Sequence, residues 1–239
     1  MSEKFPPPRA ILFDFDGTLV NTTPLILHSF REAWRQTFGF TYEDGDYIRT
    51  FGMLLPTALR MLVERGVAEG RIEAPADPAA FVARRSEEML QNYRAINLRC
   101  HDEMIEPFDG VIEALEALRA REIPLGIVSS KMRAGVERGL RHFAMGGYFN
   151  LIVAAEDVTN HKPHPEPLLR AAERLGLAPR EIVYLGDSIH DIAAGQAAGT
   201  ATAAAAWGPF PHAELERLGP DHLLHHPREL PPLFTGAPG

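Results

Sequence analysis

Two carboxylates two residues apart, Asp14 and Asp16, follow directly on the apolar run from Ala10 to Phe13, with Gly17 and Thr18 next. A short, bounded run of large apolar residues reads as a buried strand. Open α/β sheets bind ligands outside the carboxyl ends of their strands. Two acids at such an end are costly unless a metal ion or a reaction uses them. Other polar residues stand at comparable points. Ser129 and Ser130 close the apolar stretch from Ile123 to Val128, Lys162 precedes Pro163 in a loop, and Asp187 ends the stretch from Glu181 to Gly186, with Asp191 following. The acids suit a hard cation such as Mg²⁺, which prefers oxygen ligands. A hydroxyl and a lysine suit a phosphoryl group. Together they point to metal-assisted phosphoryl transfer.

These residues meet only if one parallel sheet carries them. From about residue 108 onward, apolar runs alternate with helical patterns, which implies a doubly wound α/β core. A helix after Ser129 would carry Val136, Leu140 and Phe143 on one face. Gly135 and Gly139 within it cost about 1 kcal/mol each against Ala and suggest close packing on the sheet. Helices from Pro165 and up to Ala198 each stop at a glycine, Gly176 and Gly199. The small residues from Ala201 to Ala206 read as a last strand of this alternating stretch.

Residues 21–105 differ. Leu25, Phe30, Trp34 and Phe38 recur at helical spacing, as do apolar residues from Thr57 to Arg65 and from Phe81 to Tyr93; Glu69 to Pro78 reads as a loop. The expected organisation is a core of residues 1–20 and 106–239 with a helical cap domain, residues 21–105, inserted after the first strand as a lid. Aromatics in the insert are read as core packing.

A net charge of -8 over 239 residues argues against nucleic acid as the main partner. Cys100 is the single cysteine, which fits a reducing cytoplasm, and no stretch approaches a membrane span or a signal peptide. The run from Thr235 to Gly239 reads as a loose tail. His222, His225 and His226 read as loop and terminal strand, and His190 as a helix surface residue.

The ordered set Asp14-Phe15-Asp16-Gly17-Thr18, Ser129, Lys162-Pro163 and Gly186-Asp187-Ser188-Ile189-His190-Asp191 resembles the four motifs of the haloacid dehalogenase superfamily, on its phosphatase side. The resemblance spans essentially the whole chain and implies a Rossmann-like core with a helical cap. By that resemblance, Asp14 attacks phosphorus and forms an aspartyl-phosphate. Asp16 protonates the leaving oxygen and then activates water. Mg²⁺ is held by Asp14, the backbone carbonyl of Asp16, Asp187 and Asp191, the last directly or through water. Ser129, Ser130 and Lys162 grip the phosphoryl oxygens. Asp16 also excludes the dehalogenases and phosphonate hydrolases of the superfamily, which lack this second acid.

Within the superfamily the chain is similar to phosphoglycolate phosphatases and a related bacterial pyrophosphatase. The segments Leu19-Val20-Asn21-Thr22, Gly126 to Lys131 and His190-Asp191-Ile192, together with Trp207, favour the pyrophosphatase. The resemblance implies a cytoplasmic Mg²⁺-dependent phosphohydrolase, monomer or homodimer, acting on a small anion, pyrophosphate first. Phosphoglycolate or another small monoester is the alternative. A phosphomutase and a non-catalytic binding protein rank lower, because a pure binder has no need of Asp16. Both small anions carry a second acidic end, for which Arg49, in the cap loop from Arg49 to Leu55, and Lys131 and Arg133 are the candidate cations.

Overall fold

The computed structural model describes residues 6–73 and 75–234; the run from Thr235 lies outside them. In chain order the elements are β1 (Ala10–Phe13), β2 (Val20–Asn21), α1 (Thr23–Phe38), α2 (Asp44–Ile48), α3 (Leu55–Ala68) and α4 (Pro78–Cys100). Then come β3 (Glu106–Pro107), α5 (Val111–Arg119), β4 (Leu125–Val128), α6 (Arg133–His142), β5 (Leu151–Val153), α7 (Glu166–Leu175), β6 (Ile182–Gly186), α8 (Ile189–Ala198), β7 (Ala201–Ala205), α9 (His212–Arg217) and β8 (His222–Leu224). The chain divides into two compact units: residues up to Asn21 together with those from Glu106 onward, and Thr22–Ile105.

In the first unit, six described strands form one sheet in the order β5-β4-β1-β6-β7-β8, and every pair is parallel. The strands are near-continuous apolar runs, as expected when both sheet faces are covered. On one face Ala10, Leu12, Val128, Val153, Ile182 and Tyr184 pack with Leu168, Ala171 and Ala172 of α7 and Ala194 and Ala198 of α8. On the other, Phe13 and Leu185 share an apolar space with Val111, Ala114 and Leu115 of α5. Register places the chemistry. Phe13 pairs with Ile127 and Leu185, so Asp14 is level with Val128 and Gly186, and Ser129 and Asp187 lie one residue further on. The Asp14 N–H extends the ladder to the Leu185 carbonyl at 2.8 Å. A short antiparallel pair, β2 with β3, closes the two chain crossings between the units.

The helices start and stop for local reasons. Asp77 caps α4 by accepting the Ala80 N–H at 3.1 Å, with Pro78 in the first turn. Helices α7 and α8 end on Gly176 and Gly199, both with positive φ, where L side chains are disfavoured.

The second unit is helical throughout its described elements, with α4 packed on α1 and α3. Its core is aromatic: Phe30 stacks on Tyr47 with ring centroids 4.8 Å apart, and Trp34 packs edge-on to Tyr42 at 4.9 Å. The aromatic spacing of α1 is therefore core packing. The short helix α2 was not legible in the sequence, because five residues are too few to show a helical period. Among the described residues no helix is long and apolar enough to cross a membrane.

The glycines of α6 do not abut the sheet backbone. A Cβ at Gly139 would stand 2.6 Å from Phe15 Cζ, and one at Gly135 would stand 2.9 Å from Lys131 Cε. The two glycines, one turn apart, admit two side chains. Phe15 is fully buried, so Gly139→Ala forces a ring to move. The overpacking, about 1–3 kcal/mol, outweighs the gain in helix propensity of about 1 kcal/mol. Urea denaturation of the G139A variant is expected to show a lowered midpoint.

Candidate active site

Asp14, Asp187, Asp191 and Lys162 meet at the carboxyl edge of the sheet, all at most 4% exposed. One oxygen from each acid lies within 4.8 Å of the others. Lys162 Nζ stands 3.1 Å from Asp14 Oδ2 and 2.5 Å from Asp191 Oδ1. Asp14 Oδ1 accepts the Phe15 N–H at 2.7 Å, which aims the carboxylate.

Asp187 is held differently. Thr18 donates its hydroxyl to Asp187 Oδ1 at 3.0 Å, and Trp207 Nε1 donates to the Thr18 carbonyl at 2.9 Å. A Cβ on Gly17 would come within 2.4 Å of Asp187 Oδ2, and one on Gly208 within 2.4 Å of Asp187 Cβ. Gly17 also has φ +78. Only glycine meets both demands there, since it has no Cβ and tolerates positive φ.

Asp191 is wholly buried, and each oxygen is engaged. Oδ1 takes Lys162 and the Tyr184 hydroxyl at 2.8 Å; Oδ2 accepts from the Ser188 N–H at 3.0 Å and from the Ser188 hydroxyl. Ser188 and Asp191 thus form a capping box at the start of α8. Tyr184 Oη also lies 3.1 Å from the Val128 carbonyl and accepts from Lys162. Tyr184 is the residue that sequence reasoning missed. Its signal was a tyrosine in an otherwise aliphatic strand, three residues before Asp187, whose buried hydroxyl needs a partner.

Asp16 stands in a separate setting. Its side chain is 22% exposed and pairs with Lys131 Nζ at 2.7 Å. Ser129 is buried, with its N–H on the Val153 carbonyl at 3.0 Å and its Oγ accepting the Lys131 N–H at 3.3 Å. Ser130 follows in the same turn. Arg49 belongs to the helical unit, where it ends α2 and is exposed. Arg133 is committed to the Asp157 carboxylate and the Ile152 carbonyl. His190 is half-buried rather than a surface residue, because it opens α8 beside the buried cluster, and burial lowers its pKa.

Three buried carboxylates share one buried ammonium, and their titration shows the imbalance. Burial, above all, raises Asp14 to about 6; Asp191 and Asp16 add to this, while Lys162 and the Phe15 N–H offset part of it. Burial, with Asp191 and Asp14, drives Asp187 well above the carboxylate range. Burial would raise Asp191 too, but Lys162, Ser188 and Tyr184 overcome it and lower the group. Burial alone would lower Lys162; Asp14 and Asp191 raise it instead. The cluster thus has surplus negative charge and oxygen donors, with Asp187 in a cradle that two glycines keep open. That donor set fits a hard divalent cation.

The likeness to known proteins is consistent with this geometry. Residues 11–205 match the family model described as haloacid dehalogenase-like hydrolase. The chain belongs to this family. Among curated relatives, it is 36% identical over 227 residues to the pyrophosphatase PpaX of Bacillus cereus, covering 95% of this chain and 96% of that one. It is 34% identical over 231 residues to the PpaX of Bacillus mycoides, covering 97% and 99%. Among solved structures, a Lactobacillus plantarum protein provisionally assigned as a phosphoglycolate phosphatase is 28% identical, with TM-score 0.79 over 96% of this chain and 100% of that chain. This chain is accordingly a hydrolase with a doubly wound parallel-sheet core.

Two outcomes follow from the charge imbalance. Asp14 binds its proton more tightly when folded, at about 6 against 3.8. Its contribution to stability is full below the unfolded value and is lost as pH rises through about 6. A divalent cation competes with that proton, so its stabilising effect on Tm is expected to be larger above about pH 7 than below about pH 5; thermal scans with and without Mg²⁺ read this directly. Asp187→Asn replaces an acid that burial and its neighbours force to take up a proton on folding with an amide that needs none, and keeps an acceptor for Thr18. In chelated protein it is expected to raise Tm by about 2–6 °C, and to abolish most of the shift that Mg²⁺ produces.

Proposed function

We propose that this chain is a Mg²⁺-dependent inorganic pyrophosphatase acting through an aspartyl-phosphate on Asp14. The observation that carries the reading is the full-length likeness to pyrophosphatases at 34–36% identity, joined to two acids in unlike settings, one buried beside Lys162 and one half-buried beside Lys131. The lower likeness to the phosphoglycolate phosphatase fold relative makes a small phosphate monoester the second reading.

The residues divide the work as follows. Asp14, Asp187 and the backbone carbonyl of Asp16 would hold the cation, which when bound supplies positive charge for the phosphoryl oxygens and keeps Asp14 ionised at neutral pH. Asp191 orients Lys162 through a hydrogen-bonded ion pair rather than serving as a ligand, since its oxygens are already engaged. Lys162, Ser129 and Ser130 bind the transferred phosphoryl oxygens. An Asp14 oxygen forms a bond to phosphorus as the bridging P–O bond breaks, and Asp16 gives its proton to the departing oxygen. Asp16 then takes a proton from water as that water attacks phosphorus. The Asp14–phosphorus bond breaks, and the second orthophosphate leaves.

Phosphate release from pyrophosphate, phosphoglycolate and a set of sugar phosphates tests the assignment. Pyrophosphate is expected to lead in kcat/KM by about 100-fold, roughly 2.7 kcal/mol of transition-state preference. A monoester in the lead would move the assignment to that ester's phosphatase. Asp14→Asn is expected to abolish turnover, and Asp16→Asn to slow it by about 10²–10⁴-fold, with circular dichroism unchanged in both. Wild-type turnover in either variant would refute the mechanism.

A further inference from the structure

Lys131 is the cation whose placement the proposed mechanism does not use. Its backbone is fixed at both ends, by the N–H on Ser129 Oγ at 3.3 Å and by the carbonyl, which accepts the Ala155 N–H at 3.1 Å. The stem runs over Gly135, where a Cβ would stand 2.9 Å from Cε and 3.3 Å from Cγ. The ammonium lies 5.4 Å from the Phe15 ring centroid and ends 2.7 Å from Asp16 Oδ1. Its side chain is 16% exposed, in contrast to the fully buried Lys162. An ammonium has three N–H donors, and one of them reaches Asp16.

Asp16 gives its proton to the leaving oxygen, so that oxygen comes within hydrogen-bonding distance of its carboxyl group. A cation on the same carboxylate then stands within about 5–8 Å of the leaving oxygen, two hydrogen-bond lengths plus at most the width of the carboxylate. The other oxygens of a phosphoryl or carboxylate leaving group lie one or two bonds beyond. A fixed cation there favours a departing group that is itself an anion. It does little for a departing alcohol or phenol with no second charge.

Resting on the phosphohydrolase reading above, we infer that Lys131 selects substrates whose leaving group carries its own negative charge, by contacting that group's oxygens beside Asp16. The substrate class is the small phosphoanhydride or phosphoester with an anionic leaving group. Of the three cations that the sequence offered for this task, Arg133 is spent on Asp157 and Arg49 belongs to the helical unit. Lys131 shares a unit and an ion pair with the proton donor.

The experiment compares kcat/KM for pyrophosphate and phosphoglycolate with that for phenyl phosphate, whose leaving group has no second charge, in full-length protein with Mg²⁺. Lys131→Met, with Lys131→Gln as a second variant of different packing, is expected to lower the ratio of anionic to phenyl substrate by about tenfold or more, the size of a lost charge-assisted hydrogen bond. Lys131→Arg, which keeps the charge, is expected to restore most of the ratio. If Lys131 only holds Asp16 in place, the loss follows leaving-group basicity instead, heaviest for phosphoglycolate and lighter for phenyl phosphate and pyrophosphate, so the pyrophosphate-to-phenyl ratio does not fall. A fall of less than tenfold in the pyrophosphate-to-phenyl ratio in both neutral variants therefore overturns the inference. Wild-type protein that releases phosphate from none of the three would instead overturn the phosphohydrolase reading itself.

Discussion

Three buried carboxylates against one buried ammonium is the constraint on which the rest of this catalytic unit turns. Charge of one sign in a low-dielectric setting is costly, and burial by itself pushes the pKa of all three acids upward. The fold answers unevenly. It gives Lys162, Tyr184 and the Ser188 cap to Asp191, so that this acid stays ionised and fixes the lysine. Asp14 and Asp187 are left with less compensation. The deficit is located where the oxygen donors converge, and it defines what the site will bind.

The same logic separates the two acids of the first loop. Asp14 continues the central strand and is buried with it; Asp16 is two residues later, past the sheet edge, where Lys131 reaches it. The two acids therefore sit in unlike surroundings, one buried beside Lys162 and one partly exposed beside Lys131. The turn between them is tight, with the Gly17 N–H on the Val20 carbonyl at 2.9 Å. Gly17 serves that turn and clears the space around Asp187 together.

Helix α6 shows how a local cost serves a distant site. Gly139 and Gly135 weaken the helix but receive Phe15 and the Lys131 stem on adjacent turns. Phe15 lies between the two acids in sequence, and its ring sits beneath the Lys131 ammonium. The position of Asp16's partner is thus set by packing on a helix that carries none of the proposed catalytic groups.

Much was decided by the sequence alone. Alternating apolar runs and helical patterns specified a parallel, doubly wound sheet, because buried strands and amphipathic helices leave unlike periodicities. Strand ends with Asp14, Ser129 and Asp187 specified a site, because polar residues at the end of a buried strand need a use. Gly176 and Gly199 marked helix ends through backbone freedom alone. The pairings were decided only in three dimensions. Lys162 finds Asp191 across 29 residues, and Lys131 finds Asp16 across 115; no local pattern encodes which cation meets which acid. The sequence pointed to α6 glycines against the sheet, whereas they receive side chains, since propensity records the cost of a glycine but not its neighbour. Asp191, which the resemblance offered as a metal ligand, also has its oxygens engaged in a capping box and an ion pair, contacts that no spacing announces. Hydrogen-bond capacity is finite, and tertiary contacts alone show where it has been used.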